Sequence, residues 1–131
     1  MYKIESRPSG YILTFTGTIN ADEMQRWYNE SQKVLSTEKR TSFGVIVDMK
    51  DLTPLASEAR NIMVNGQKLY KDKGMKRSAV ILNSSEITMQ FKNLALQSGI
   101  YATERYIDAS HVKNPVEIAI NWVNDAADPD K

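Results

Sequence analysis

Apolar and polar residues alternate from the start of the chain, with Tyr2, Ile4 and Ser6 interleaved with Lys3, Glu5 and Arg7. Period-two alternation marks a half-buried strand. A second strand-like run spans Tyr11 to Thr16, and Pro8-Ser9-Gly10 between the two supplies turn chemistry. Together they predict a β-hairpin from Tyr2–Ser6 to Tyr11–Thr16. Gly17 and Thr18 break the pattern, and the period then lengthens. Met24, Trp27, Tyr28, Val34 and Leu35 recur at helical intervals after Asn20, a capping residue with Glu23 in capping-box position. Phe43 to Val47, ending in Asp48, reads as a buried parallel strand.

The clearest helical stripe is Ala59, Ile62, Met63, Gly66, Leu69 and Tyr70. It stops at Gly74, after Lys71 and Lys73, which suit a helix C-terminus. At its start, Thr53-Pro54 offers a cap followed by a proline suited to the first helical position. Ser78 to Leu82 is the next buried strand. Asn83 and Glu86 form a second capping-box pair, opening a helix with Ile87, Phe91, Leu94, Ala95 and Ser98 on one face and Gly99 at its end. Glu104 to Asp108 is the last strand. Asn114-Pro115-Val116-Glu117 opens a final helix that turns Val116, Ala119, Ile120 and Val123 inward. The order β-β-α-β-α-β-α-β-α predicts an α/β domain with a mixed, mostly parallel sheet, an N-terminal hairpin and four helices. One domain is expected over residues 1–124, with 125–131 as a flexible acidic tail.

Composition narrows the chemistry. The chain has 131 residues, no cysteine and one histidine, His111. A disulfide framework, a thiol nucleophile, a cysteine zinc site and a multi-histidine metal site within one chain are therefore excluded. No metal or cofactor is expected. The net charge of +1 gives no electrostatic reason to expect nucleic acid as a partner. No signal-like or membrane-spanning apolar run is present, so the expectation is a cytoplasmic protein that is not transmembrane.

Dinucleotide, Walker and nucleophile-elbow motifs are absent. His111 reads as an exposed loop histidine with no partner evident from sequence. Lys68, Lys71, Lys73, Lys76 and Arg77 cluster around Gly74, either as a solvated helix end or as an anion site. Trp27, Met63 and Trp122 are candidates to line an apolar pocket. Trp122 stands off the inward stripe of the last helix, as it would on a helix between two layers or beside a partner.

The stretch from Val45 to Ala59 runs strand, polar loop, then a helix whose first turn presents Ser57. This resembles the STAS domain, the SpoIIAA-like fold of the bacterial anti-sigma factor antagonists. Thr16-Gly17-Thr18-Ile19-Asn20 resembles that family's T-G-E-L-D segment, and Lys73-Gly74-Met75-Lys76 its glycine turn. Asn83-Ser84-Ser85-Glu86-Ile87 and Gln97-Ser98-Gly99-Ile100 resemble its S-P-x-V helix start and S-G-L helix end. The likeness covers about Tyr2 to Val123.

The resemblance implies a non-enzymatic protein-interaction module in bacterial regulation, with a kinase or anti-sigma type partner. In the family a serine in a D-S pair is phosphorylated. Ser57 falls on that serine, but Ala56 replaces the acid and Glu58-Ala59 replaces the following Ser-Gly. The standard phosphorylation switch is therefore not expected. Ser57, Glu58, Asp51 and Thr53 are the candidate phosphosite or docking residues. The alternative is an apolar-ligand or lipid-binding domain of the STAS/SEC14 type. If all crossover helices share one sheet face, the other needs cover, which makes a homodimer a reasonable expectation.

Overall fold

The computed structural model describes every residue from Met1 to Lys131. Its strands are β1 (Tyr2–Arg7), β2 (Gly10–Gly17), β3 (Phe43–Leu52), β4 (Met75–Leu82) and β5 (Glu104–Asp108). Its helices are α1 (Ala21–Ser36), α2 (Ser57–Lys73), α3 (Ser85–Ser98) and α4 (Pro115–Asp125), with a 3-10 turn at Ile100–Ala102. The five strands form one sheet in chain order. β1 and β2 make the expected antiparallel hairpin, and every later pairing is parallel.

Right-handed crossovers between strands laid down in sequence order deposit α1, α2 and α3 on the same face. Leu13, Phe15, Val45, Val47, Val80 and Leu82 point to that face and form its core with α1 and α2. Ile12, Ile46, Ala79, Ile81 and Ile107 point to the other, where Ala119, Trp122 and Val123 of α4 lie on them. Since α4 covers the second face, the argument for dimerisation from a bare face does not apply.

Local chemistry sets most helix ends. Asn20 Oδ1 accepts the Glu23 N–H at 2.9 Å, as the capping-box spacing predicts. Gly74 closes α2 at φ +131°, where a Cβ would lie 2.6 Å from the Thr41 carbonyl oxygen. Two expected helix starts move. Ser84, not Asn83, caps α3, its Oγ accepting from the Ile87 N–H at 3.3 Å. α2 begins at Ser57, with Ala56 in the capping position and no side-chain cap. Thr53 is drawn away by the backbone of the neighbouring loop.

Two apolar faces also differ from expectation. On α3 only Ala95 is buried, while Leu94 is 60% exposed and Ile87 and Phe91 also face solvent. α3 lies beside the edge strand β5, where Phe91 meets Tyr106 with ring centroids 6.0 Å apart, and the platform is too narrow for the whole stripe. On α4, Ala119 and Val123 face inward as expected, Val116 and Ile120 are half-buried, and Trp122 is buried. The Trp122 indole N–H donates to the Ser78 carbonyl at 3.0 Å. Residues 125–131, expected as a flexible acidic tail, turn back so that Asp128 pairs with Arg105 at 3.0 Å.

The larger core is built around Trp27, which is fully buried. Its ring meets Phe15 edge-on at 5.2 Å and stacks against Tyr70 at 6.3 Å. Gly66 of α2 lies directly beneath it: a Cβ there would sit 2.1 Å from Trp27 Cζ3. The absent side chain lets α2 approach α1 closely enough for the buried Tyr70 hydroxyl to donate to Ser31 Oγ at 2.8 Å. Burial pushes the Tyr70 phenol up to about 12, so it remains a donor.

Beyond α1, Glu38 and Arg40 form a fork, with Nε–Oε1 and Nη2–Oε2 both 2.8 Å. Tyr11 also donates to Glu38, and Arg40 reaches the carbonyls of Arg7 and Pro8. The Arg40 guanidinium lowers the Glu38 carboxyl to about 2 against the opposing pull of burial.

Gly66→Ala is expected to destabilise the fold by roughly 1–3 kcal/mol in chemical denaturation, because ring displacement outweighs the gain in helix propensity of about 1 kcal/mol. The depressed Glu38 carboxyl means that the unfolded chain takes up this proton first as pH falls. Its contribution is present above about pH 5 and is lost progressively toward pH 2. Melting curves across that range should show a shallower acid dependence in Glu38→Gln, together with lower stability at neutral pH.

Candidate interaction surface and apolar cleft

All parallel strands end at one edge of the sheet, and the loops leaving them gather there. In open α/β sheets this carboxyl edge is where ligands bind. Thr53 knits two of its loops together. Its backbone N–H donates to the Gly17 carbonyl at 3.0 Å, and its Oγ1 lies 3.1 Å from that oxygen and 3.1 Å from Thr18 Oγ1. Asp51, Thr53, Ser57 and Glu58 are all exposed. Ser57 occupies the first turn of a helix without a side-chain cap, so free backbone N–H groups and the positive end of the α2 dipole accompany its hydroxyl. Near this edge, buried Asp48 is held by Lys50, with Oδ2–Nζ 2.6 Å.

The same edge contains a cluster not evident from the sequence. Ser85 Oγ donates to Asp108 Oδ2 at 2.6 Å and lies 2.6 Å from His111 Nε2. Burial works to raise the Asp108 carboxyl, but hydrogen bonds from Ser110 and Ser85 outweigh it and hold the group below the usual carboxylate range. The arrangement is not that of a hydrolase triad. Asp108 lies 3.6 Å from the same imidazole nitrogen that meets the serine, and the serine proton is already engaged by a carboxylate. With the serine proton directed at the Asp108 carboxylate, the imidazole nitrogen is the donor to the serine oxygen. The histidine side chain is 71% exposed, so the cluster is a polar surface feature.

The candidate apolar pocket is not assembled as expected. Trp27 and Met63 lie in the core between the sheet and helices α1 and α2, whereas Trp122 lies in the core on the opposite face. Strand alternation and the crossing of α4 to the second face separate them.

A different cleft opens between α2 and α3. It holds about 490 Å³ and has Leu13, Val45 and Val47 at its apolar floor. Val64 of α2 and Ile100 of the 3-10 turn form part of its walls and are 46% and 48% exposed. Lys68, Lys71 and Lys76, from the basic cluster around Gly74, contribute its cationic side. The cleft exists because α2 leans on α1, leaving α3 without a helical neighbour on that side.

No family model matches the sequence, and neither does any curated protein. Similarity appears in three dimensions. An uncharacterized protein of the DUF3478 family with a SpoIIAA-like fold, from Shewanella loihica PV-4, superposes with a TM-score of 0.62 at 13% identity. The match covers 94% of this chain and 92% of that one. The Bacillus cell fate determinant SpoIIAA, in its phosphorylated form, superposes with a TM-score of 0.57 at 10% identity. That match covers 88% of this chain and 99% of the other. The chain has the SpoIIAA-like, STAS-type α/β fold. No helix is long and apolar enough to cross a membrane.

Proposed function

We propose that the chain is a STAS-like, non-enzymatic interaction module of bacterial regulation. It docks a regulatory protein of the kinase or anti-sigma type through the carboxyl edge of its sheet, without the standard serine switch. The observation that carries this reading is Ser57, exposed on the uncapped first turn of α2 beside Glu58, in a SpoIIAA-like fold. Such a turn favours an acceptor or an anion from the partner. Ala56 stands in place of the family's acid and Glu58-Ala59 in place of its Ser-Gly, which is why recognition at this surface is assigned to the wild-type hydroxyl and carboxylate. The site is cytoplasmic in this reading.

A second reading rests on the α2–α3 cleft. Its apolar floor and lysine side fit a single-chain amphiphile with an anionic head, held by burial of the chain and charge at the rim.

Purified protein used as bait in bacterial lysate should retain a regulatory protein that is lost from Ser57→Asp and Glu58→Lys baits. Retention of the same protein by all three baits would remove this surface from the interaction. For the second reading, native mass spectrometry after gentle purification should show a co-purifying acyl species, and fatty acids should raise the melting temperature. Mass equal to the bare chain, with no thermal shift, would eliminate it.

A further inference from the structure

The end of the chain is seated in a receptor made by the body of the domain. α4 stops at Ala126, which has a left-handed φ of +56° and reverses the backbone. The Asp128 carboxylate meets Arg105 in a fork, with Oδ1–Nε 3.0 Å and Oδ2–Nη2 3.2 Å. Asp130 Oδ1 lies 3.1 Å from Lys92 Nζ, and its Oδ2 accepts from the Tyr101 hydroxyl. The Asp130 N–H donates to Asp128 Oδ1 at 2.9 Å, which turns both carboxylates toward the domain.

Much of the receptor is built from the body of the domain. With the tail in place Arg105 is 7% exposed, and its guanidinium carbon lies 3.8 Å from the Tyr101 ring centroid and 4.2 Å from that of Trp122. Its Nη1 donates to the carbonyls of Tyr101 and Glu104. Strand β5, the 3-10 turn and α4 therefore fix three sides of the guanidinium. The remaining fork, Nε and Nη2, faces the tail. A desolvated guanidinium requires an anionic partner, and the planar fork selects a carboxylate. Lys92, on α3, adds a second cation for a second carboxylate.

We propose that Arg105, Lys92, Tyr101 and Trp122 form a recognition site for an acidic peptide segment of a partner protein. Such a segment would carry two carboxylates spaced two residues apart. The chain's own Asp128-Pro129-Asp130 fills the site in cis and excludes the partner until it is displaced. Charge complementarity commits the occupant: two cations and one hydroxyl donor meet two carboxylates, while the two aromatic rings hold the guanidinium in place. The tail is a small ligand on a short tether, so its effective concentration is high, on the order of millimolar or above. A partner segment must compete against that, which makes the tail a gate on affinity. Arg105 pairs with Ala79 in the sheet register, toward the strand starts and away from Ser57, so this inference does not depend on the carboxyl-edge reading.

The test uses the full chain. Asp128→Asn with Asp130→Asn keeps the length and Pro129 while removing both charges from the tail. The probe is a labelled synthetic peptide, Ala-Ala-Asp-Pro-Asp-Lys, added in trans and followed by anisotropy and by the Trp122 indole N–H resonance. The double variant is expected to bind it at least tenfold more tightly than wild type. That binding should weaken in high salt, vanish with an Asn-Pro-Asn control peptide, and vanish when Arg105→Gln is added. Equal binding by the wild type and the double variant, or no binding by a double variant with native circular dichroism, overturns the proposal. If the variant does not fold, saturating peptide on wild type must shift the Trp122 indole N–H resonance, and an unmoved resonance overturns it equally. A concentration-dependent wild-type dimer that the double variant loses would assign the site to a second copy's tail and overturn the partner assignment.

Discussion

The contact of Trp27 with the bare backbone of Gly66 sets the spacing on which the rest of the helical layer depends. An indole fully buried beneath α2 leaves no room for even a methyl group at that position. α2 is therefore drawn to α1 and stitched to it by Tyr70 and Ser31. The cost is visible at one atom, since the Trp27 indole nitrogen is buried without a hydrogen-bond partner. An unmade bond of that kind costs about 1–3 kcal/mol, which the surrounding aromatic packing offsets. Because α2 leans one way, α3 stands alone on the other. The α2–α3 cleft and the exposed apolar residues of α3 are both results of that asymmetry.

Two arginines play matching parts on opposite sides of the sheet. Arg40 lies over the rings of Tyr11 and Phe43 and pairs with Glu38, while Arg105 lies between Tyr101 and Trp122 and pairs with Asp128. Each secures irregular backbone: Arg40 the hairpin turn and the loop after α1, Arg105 the segment after α4. Guanidinium suits this role because it stacks on aromatic faces while its edge still binds carboxylate and carbonyl oxygens. The difference is one of connectivity. Glu38 lies two residues from Arg40, whereas Asp128 reaches Arg105 from the far end of α4.

Much of the fold was legible because its determinants are local. The Pro8-Ser9-Gly10 turn, the Asn20–Glu23 cap, the Gly74 stop and the strand alternation each act over a few residues, and each recurs in the structure. The family likeness of the fold was legible through element order, although identity to its solved relatives is only 10–13%. What failed was non-local. Thr53 resembles a cap, but Gly17 and Thr18 in another loop claim its hydrogen bonds. Trp122 and Trp27 are alike in type but lie on opposite faces of the sheet, a separation that only the crossing of α4 creates. The α3 stripe has helical spacing, yet spacing says nothing about whether a neighbour is present. Ser85, Asp108 and His111 meet only because two loops end at the same edge. Of the candidate docking residues, the sequence indicated the shared loop and helix start, while their accessibility required the packed molecule.

The thin attachment of α3 has a consequence for motion. With Ala95 as its single buried residue, this helix gives up little apolar contact when it detaches, whereas opening α1 or α2 would expose the Trp27 core. Local opening free energy follows such contacts. Amide exchange should therefore grade across the molecule, with α3 opening on its own and the α1–α2 pair opening only with the whole domain. Ser98 of α3 borders the cleft and Lys92 of α3 meets Asp130, so both places adjoin the helix whose opening least disturbs the core.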